Sequence, residues 1–220
     1  MPDPTPRIRH DAPSDLGFSM EFVRSRLSGR LPRNTMLDSS ITALVPEVGN
    51  PAQRRAAVAA ILRASALGPE VLFIRRAEHP NDPWSGHMAF PGGREEPQDA
   101  SLIETAVRET REELALDLEA NARLIGRLDE LPAVARGKRT GLTIAPFVFE
   151  LHGEVTVTHN YEVAETLWTP LEPLFRGARA TKFPYEIAGQ RVELPAHDVD
   201  GRIVWGLTHR MLEMLFALLR

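Results

Sequence analysis

The sequence predicts an α/β (α+β) protein, a mixed β-sheet sandwiched between helices, on three observations. The middle of the chain is poor in helix signals and carries short apolar runs separated by turns. The stretch from Ala100 to Leu114 has no Gly or Pro and reads as a helix. A second run with helical apolar spacing closes the chain from about Leu207 to Leu218.

The elements follow in order. At 220 residues the chain has room for one substantial domain and an extension. Residues 1–49 read as that extension, with a mobile arm to about residue 17. A short helix over Ser19 to Leu31 would carry Phe22, Val23 and Leu27 on one side. Pro32, Pro46 and Pro51 break the chain repeatedly, so the compact domain is expected over residues 50–220. The alanine-rich segment Ala56 to Arg63 is helical by propensity. Leu67-Gly68-Pro69 followed by Val71 to Ile74 instead suggests a hairpin, and both readings stand.

After a Pro- and Gly-rich stretch from Pro80 to Gly93, Asp99 is placed to cap the helix that follows. Strands are expected at Arg123 to Leu128, Leu142 to Leu151 and Val163 to Trp168. In the last helix Met211, Leu212, Leu215 and Leu218 recur at helical spacing, which fits either a core face or the contact of a homodimer.

Composition narrows the function. With 43% hydrophobic and 25% charged residues the chain can bury a real core. Lys plus Arg number 26 against 30 Asp plus Glu, a net charge of -4, which argues against a nucleic-acid partner held by an overall basic surface. Arg136, Lys138 and Arg139 around Gly137 would suit either a phosphate-gripping loop or a solvated basic one. Zero cysteines exclude disulfides, thiol catalysis and sulfur-held zinc, leaving carboxylates and seven histidines as metal ligands. The first twenty residues hold no apolar run, and Met211 to Leu219 is far short of a membrane span, so a cytoplasmic protein without a membrane partner is expected.

The chemistry-bearing feature is the run Arg108-Glu109-Thr110-Arg111-Glu112-Glu113. Offsets of zero, three and four put Glu109, Glu112 and Glu113 on one helical face, where like charges repel. A hard divalent cation is the natural neutraliser, because magnesium accepts carboxylate oxygens and completes its shell with water and substrate phosphates. Without one, Arg108 and Arg111 would stabilise an exposed acidic face. Phe90-Pro91-Gly92-Gly93 precedes the helix, and paired glycines let backbone approach a ligand where a Cβ would obstruct.

Gly93, Asp99, Arg108-Glu109 and Glu112-Glu113 together resemble the signature of the Nudix hydrolases, which cleave nucleoside diphosphates linked to another moiety. The sequence departs from that signature in three places. Asp99 stands for the usual Glu, the interval to Arg108 is one residue longer, and Ala115 replaces the glycine after the Glu pair. The resemblance implies a Nudix fold, hydrolysis of a pyrophosphate bond, and Mg2+ or Mn2+ as cofactor. It implies Glu109, Glu112 and Glu113 as metal ligands with the Gly93 carbonyl, and Arg108 as the group that orients a glutamate. The water-activating base is Glu112 or Glu113, or a residue of a later loop, for which Glu162 and Glu165 are the candidates.

Two further segments, Asp82 to Gly93 and Ile203 to Thr208 at the opening of the last helix, are similar to the coenzyme A pyrophosphatase branch of that family. Arg76-Ala77 stands where that branch carries Arg-Ser, and Asp82 stands near its second arginine, so a phosphate-gripping arginine is expected to be missing. The substrate implied is a nucleotide-containing small molecule, coenzyme A first, with ADP-ribose, nucleotide sugars or nucleoside triphosphates as the alternative. A non-catalytic nucleotide-sensing domain is the reading from a different class. Trp84 would either stack on a base or pack in the core, and His87 reads as a hydrogen-bonded loop residue.

Overall fold

A computed structural model of the chain describes residues 17–28, 54–80, 82, 84–135, 138–187 and 190–220. The arm expected before residue 17, the prolines Pro32, Pro46 and Pro51, and Arg136 with Gly137 lie outside the described residues, as do the side chains of Lys138 and Arg139.

Helix α1 (Met20–Leu27) starts at Ser19, whose side chain accepts from the Phe22 amide at 3.2 Å. It is followed by β1 (Arg54–Ser65), β2 (Gly68–Arg76), β3 (Met88–Ala89) and β4 (Gly92–Arg94). Then come α2 (Leu102–Leu114), α3 (Leu118–Asn121), β5 (Ala122–Arg127), β6 (Leu131–Ala135), β7 (Lys138–Leu151) and β8 (Val163–Pro170). The last elements are α4 (Leu171–Phe175), β9 (Ala180–Ile187), β10 (Gln190–Val199), β11 (Arg202–Trp205) and α5 (Gly206–Leu219).

Among the described residues the large sheet has eight strands. Its path runs β3-β2-β1-β7-β5, with β4 also on β1, β6 on β7 and β8 on β2. The alanine-rich segment is its central strand: β1 pairs parallel with β7 from Arg54↔Leu142 to Leu62↔Glu150, and antiparallel with β2 and β4. Alanine's helix propensity, a few tenths of a kcal/mol per residue over ordinary residues, loses to burial on both faces. Ala57, Ala59 and Ile61 face one core, while Ala56, Ala60 and Leu62 face the other.

Helix α2 covers the first face with Leu102, Ala106, Val107 and Leu114. Helices α1 and α5 cover the second, where Val23, Leu27, Leu212, Leu215 and Phe216 are fully buried. The apolar stripe of α5 is therefore core through Met211, Leu212 and Leu215, with Leu218 partly buried against it.

Three expectations are corrected. Asp99 is not the helix cap: Ser101 is, its side chain accepting from the Glu104 amide, while Glu104 reaches back to the Ala100 amide at 3.0 Å. Ile203 to Trp205 do not open the last helix but form β11, and the helix starts at Gly206. The third is a sheet that the sequence reading left out, β11-β10-β9, over residues 180–205. Its strands alternate, with Phe183, Tyr185, Val192 and Leu194 on the more covered face, but Pro184 and Pro195 stand inside them and read against a strand.

Helix α2 ends at Ala115, which takes the left-handed conformation (φ 51°) and donates its amide to the Arg111 carbonyl at 2.9 Å. An L-residue with a Cβ pays about 1–2 kcal/mol there, and glycine pays little. Ala115→Gly should therefore raise stability by about 0.5–1 kcal/mol after its added unfolded-state freedom is subtracted, or roughly 1–4 °C in Tm. Thermal unfolding checks this, and an unchanged or lower Tm would show that the strain at Ala115 is not real.

Candidate active site

The site starts from a close approach of backbone to backbone. Strand β4 crosses β1 with Gly92 at φ 144°, and a Cβ there would lie 2.2 Å from the Ala57 carbonyl oxygen and 2.6 Å from the Val58 Cα. Only glycine fits. At Gly93 the obstruction is different: a Cβ would fall 2.4 Å from the carboxylate carbon of Glu109. The second glycine thus lets a helix carboxylate lie directly against the loop.

Helix α2 returns the contact. The Gly92 amide donates to Glu113 Oε2 at 2.9 Å, and Glu113 is 2% exposed. Burial pushes its carboxyl up to about 8, against the opposing pull of the Gly92 hydrogen bond and of Arg76. Burial also pushes Glu109 up, although Arg108 pulls it down. Glu112, by contrast, is largely exposed at the open side of the same face.

Arg108 joins the parts. Its Nε and Nη2 form a two-pronged pair with Asp99 Oδ1 and Oδ2, each at 2.9 Å, and Nη2 also donates to the Arg94 carbonyl at 3.0 Å. Its Nη1 reaches Glu109 Oε1 at 3.1 Å and Glu112 Oε2 at 3.4 Å. Asp99 further accepts from the Glu96 amide and the Thr105 hydroxyl, and these donors hold its carboxyl well below the usual range. The shorter Asp in place of Glu is thus fully engaged, with the guanidinium aimed at the loop and at two glutamates.

The carboxylate face borders a cavity of about 750 Å³. Gly92, Gly93, Glu109, Glu112, Glu113 and Glu162 meet there. Glu162 lies close enough to Glu109 and Glu113 to raise both by charge repulsion. The structure does not bring Glu165 into the cavity. Glu165 pairs with Arg202 and, at 3.4 Å, with Arg75 on the neighbouring strand β2.

Asp82 and Arg76 form a pair at the edge of the site. Asp82 is not an unmatched charge: its Oδ2 accepts from Arg76 Nε at 2.8 Å, and both residues line the cavity.

The far wall is built by residues distant in sequence. Thr208 Oγ1 donates to the Met88 carbonyl at 2.9 Å, joining the start of α5 to β3. His87 packs on Trp205 at 4.7 Å between rings, and Trp205 stacks on Phe183 at 4.2 Å. Trp84 is partly buried against the core and also faces the cavity.

The donors on the helix face suit a hard divalent cation. They are anionic oxygens, set beside a loop position whose missing Cβ leaves room for the Glu109 carboxylate, and burial pushes the carboxyls of Glu109 and Glu113 up.

Comparison with known proteins agrees with this architecture. A family model described as the NUDIX domain matches residues 53–187. The Nudix hydrolase NudL of Yersinia enterocolitica is 32% identical over 148 residues, covering 67% of this chain and 72% of that protein. NudL of Pectobacterium atrosepticum is also 32% identical over 148 residues, covering 67% and 73%. The crystal structure of a MutT/nudix family protein from Enterococcus faecalis shares the fold at a TM-score of 0.51 and 19% identity, over 83% of this chain and 69% of that one. With the glycine loop, the Arg108 network and the carboxylate helix in their places, the chain belongs to the Nudix hydrolase family, enzymes that hydrolyse pyrophosphate bonds.

Proposed function

We propose that this Nudix hydrolase is a magnesium- or manganese-dependent coenzyme A diphosphatase, cutting coenzyme A or its derivatives into 3′,5′-ADP and 4′-phosphopantetheine. The observation that carries the reading is the bond from Thr208 to the Met88 carbonyl together with the His87–Trp205 contact. The two segments similar to the coenzyme A branch are 120 residues apart in sequence and are adjoining walls of one cavity. A volume of about 750 Å³ is in the range of ligand pockets, about 300–1,000 Å³. Arg76, kept in place by Asp82, supplies a cation for a phosphate.

Glu109, Glu112, Glu113 and the Gly93 carbonyl are the groups that would hold the cation. When bound, it would neutralise phosphate charge and lower the pKa of water. The chain's own residues do the rest. Arg108 fixes the orientation of Glu109 and Glu112, and the Gly92 amide fixes Glu113. Glu162, which lines the same cavity near these carboxylates, would take a proton from the attacking water, with Glu112 or Glu113 as the alternative. Water oxygen bonds to one phosphorus as the bridging P–O bond breaks, and the departing phosphate leaves with the bridging oxygen.

Two experiments test this. Glu112→Gln and Glu113→Gln should each lower kcat by about a hundredfold or more, the scale of losing a charged group from a water-activating centre. The Gln at position 113 can still accept from the Gly92 amide, so its Tm should remain near that of the parent. Near-normal turnover in both variants, with folding intact, would contradict the metal-centre reading. The second experiment compares kcat/KM on coenzyme A, dephospho-coenzyme A and ADP-ribose at one magnesium concentration. Coenzyme A should be preferred, and a preference of about tenfold or more for ADP-ribose over both thiol compounds would overturn the substrate assignment while leaving the hydrolase standing.

A further inference from the structure

On the opposite side of the large sheet from α2, three metal-ligating side chains converge where α5 packs on β10. His209 and Glu213 are four residues apart on α5 and so share a face of the helix. His197 comes from β10, opposite Val204 of β11. One ligand atom from each of the three lies within 4.8 Å of the other two. None of these residues lines the cavity described above.

We propose that His197, His209 and Glu213 form a second metal site, selective for a transition ion of the zinc class over magnesium. His197 carries the argument. It is 3% exposed, and both its ring nitrogens are buried without a hydrogen-bond partner. An unpaired buried polar group costs about 1–3 kcal/mol. Its nearest anionic neighbour is Glu213, with Nε2 to Oε1 at 3.6 Å. That separation is too long for a hydrogen bond. It is near the spacing between ligand atoms around a tetrahedral ion, about 3.3 Å for bonds of 2.0–2.1 Å.

The rings of His197 and His209 are 5.0 Å apart. Burial lowers the pKa of both imidazoles, favouring the neutral form that binds metals. Two imidazoles and one carboxylate suit zinc, with water as fourth ligand, whereas magnesium prefers oxygen throughout. Phe216 closes the apolar side of the cluster, its ring 6.2 Å from that of His197. Arg220 lies 3.6 Å from the second oxygen of Glu213 and is the competing partner for that carboxylate.

The test uses the full chain, stripped by a chelator and held in millimolar magnesium to occupy the carboxylate helix. Zinc titrated by calorimetry should bind with one equivalent and raise Tm, and cobalt should give the visible absorption of a tetrahedral N/O site. Because His197 is buried and its replacement can impair folding, the informative variants are His209→Gln and Glu213→Gln. Each should weaken zinc binding by about a hundredfold, at or beyond the upper end of what losing an outer partner of a metal ligand costs. Each should also leave magnesium-dependent hydrolysis within about twofold of the parent. Absence of stoichiometric zinc binding in the parent would overturn the proposal, as would binding that survives unchanged in His209→Gln.

Discussion

The contact of β4 with β1 at Gly92 is the constraint on which the site depends. Because a Cβ there would collide with β1 backbone, the loop is held against the central strand of the sheet. That strand is itself fixed by parallel pairing to β7 along most of its length. Helix α2 is then bound to the loop in both directions. The loop amide of Gly92 donates to Glu113, and Arg108 donates to the loop carbonyl of Arg94. The carboxylate face is therefore referenced to the sheet through hydrogen bonds, and the Thr158 and Asn160 amides tie the end of the same helix to the loop that carries Glu162.

Charge is arranged around the same constraint. Arg108 offsets three acidic neighbours but is committed most strongly to Asp99, so the helix glutamates remain under-compensated. The cost of burying Glu113 beside Glu109 is carried by the fold, and both carboxyls are pushed up by it. Glu165, by contrast, is spent on Arg75 and Arg202. One turn of sequence thus separates a carboxylate facing the cavity, Glu162, from one that joins a strand to the second sheet.

Much of this was legible in the sequence where a local pattern and the tertiary outcome agree. The helix from Ala100 was readable because no breaker interrupts it, and observed α2 begins two residues later only because Ser101, not Asp99, caps it. Glu109, Glu112 and Glu113 were readable because three carboxylates on one turn need a reason. The parts that were not legible depend on distant partners. Ala56 to Arg63 has helical propensity and becomes a strand because it is buried on both faces. The second sheet is punctuated by prolines and presents polar side chains on much of its surface. Asp82 looked like a misplaced charge because its partner, Arg76, is revealed only when the turn between them closes.

The central claim is that two adjacent positions lacking a Cβ build the site, Gly92 against the backbone of β1 and Gly93 against the Glu109 carboxylate. The most direct measurement is the turnover and Tm of Gly93→Ala beside Gly92→Ala. At Gly93 the added methyl meets only the end of the flexible Glu109 side chain, whereas at Gly92 it meets β1 backbone. Gly93→Ala should keep a Tm within about 3 °C of the parent and lose about a hundredfold in metal-dependent hydrolysis. Gly92→Ala should be destabilised by about 3 kcal/mol or more. A Gly93→Ala protein with parental stability and parental turnover would contradict the account.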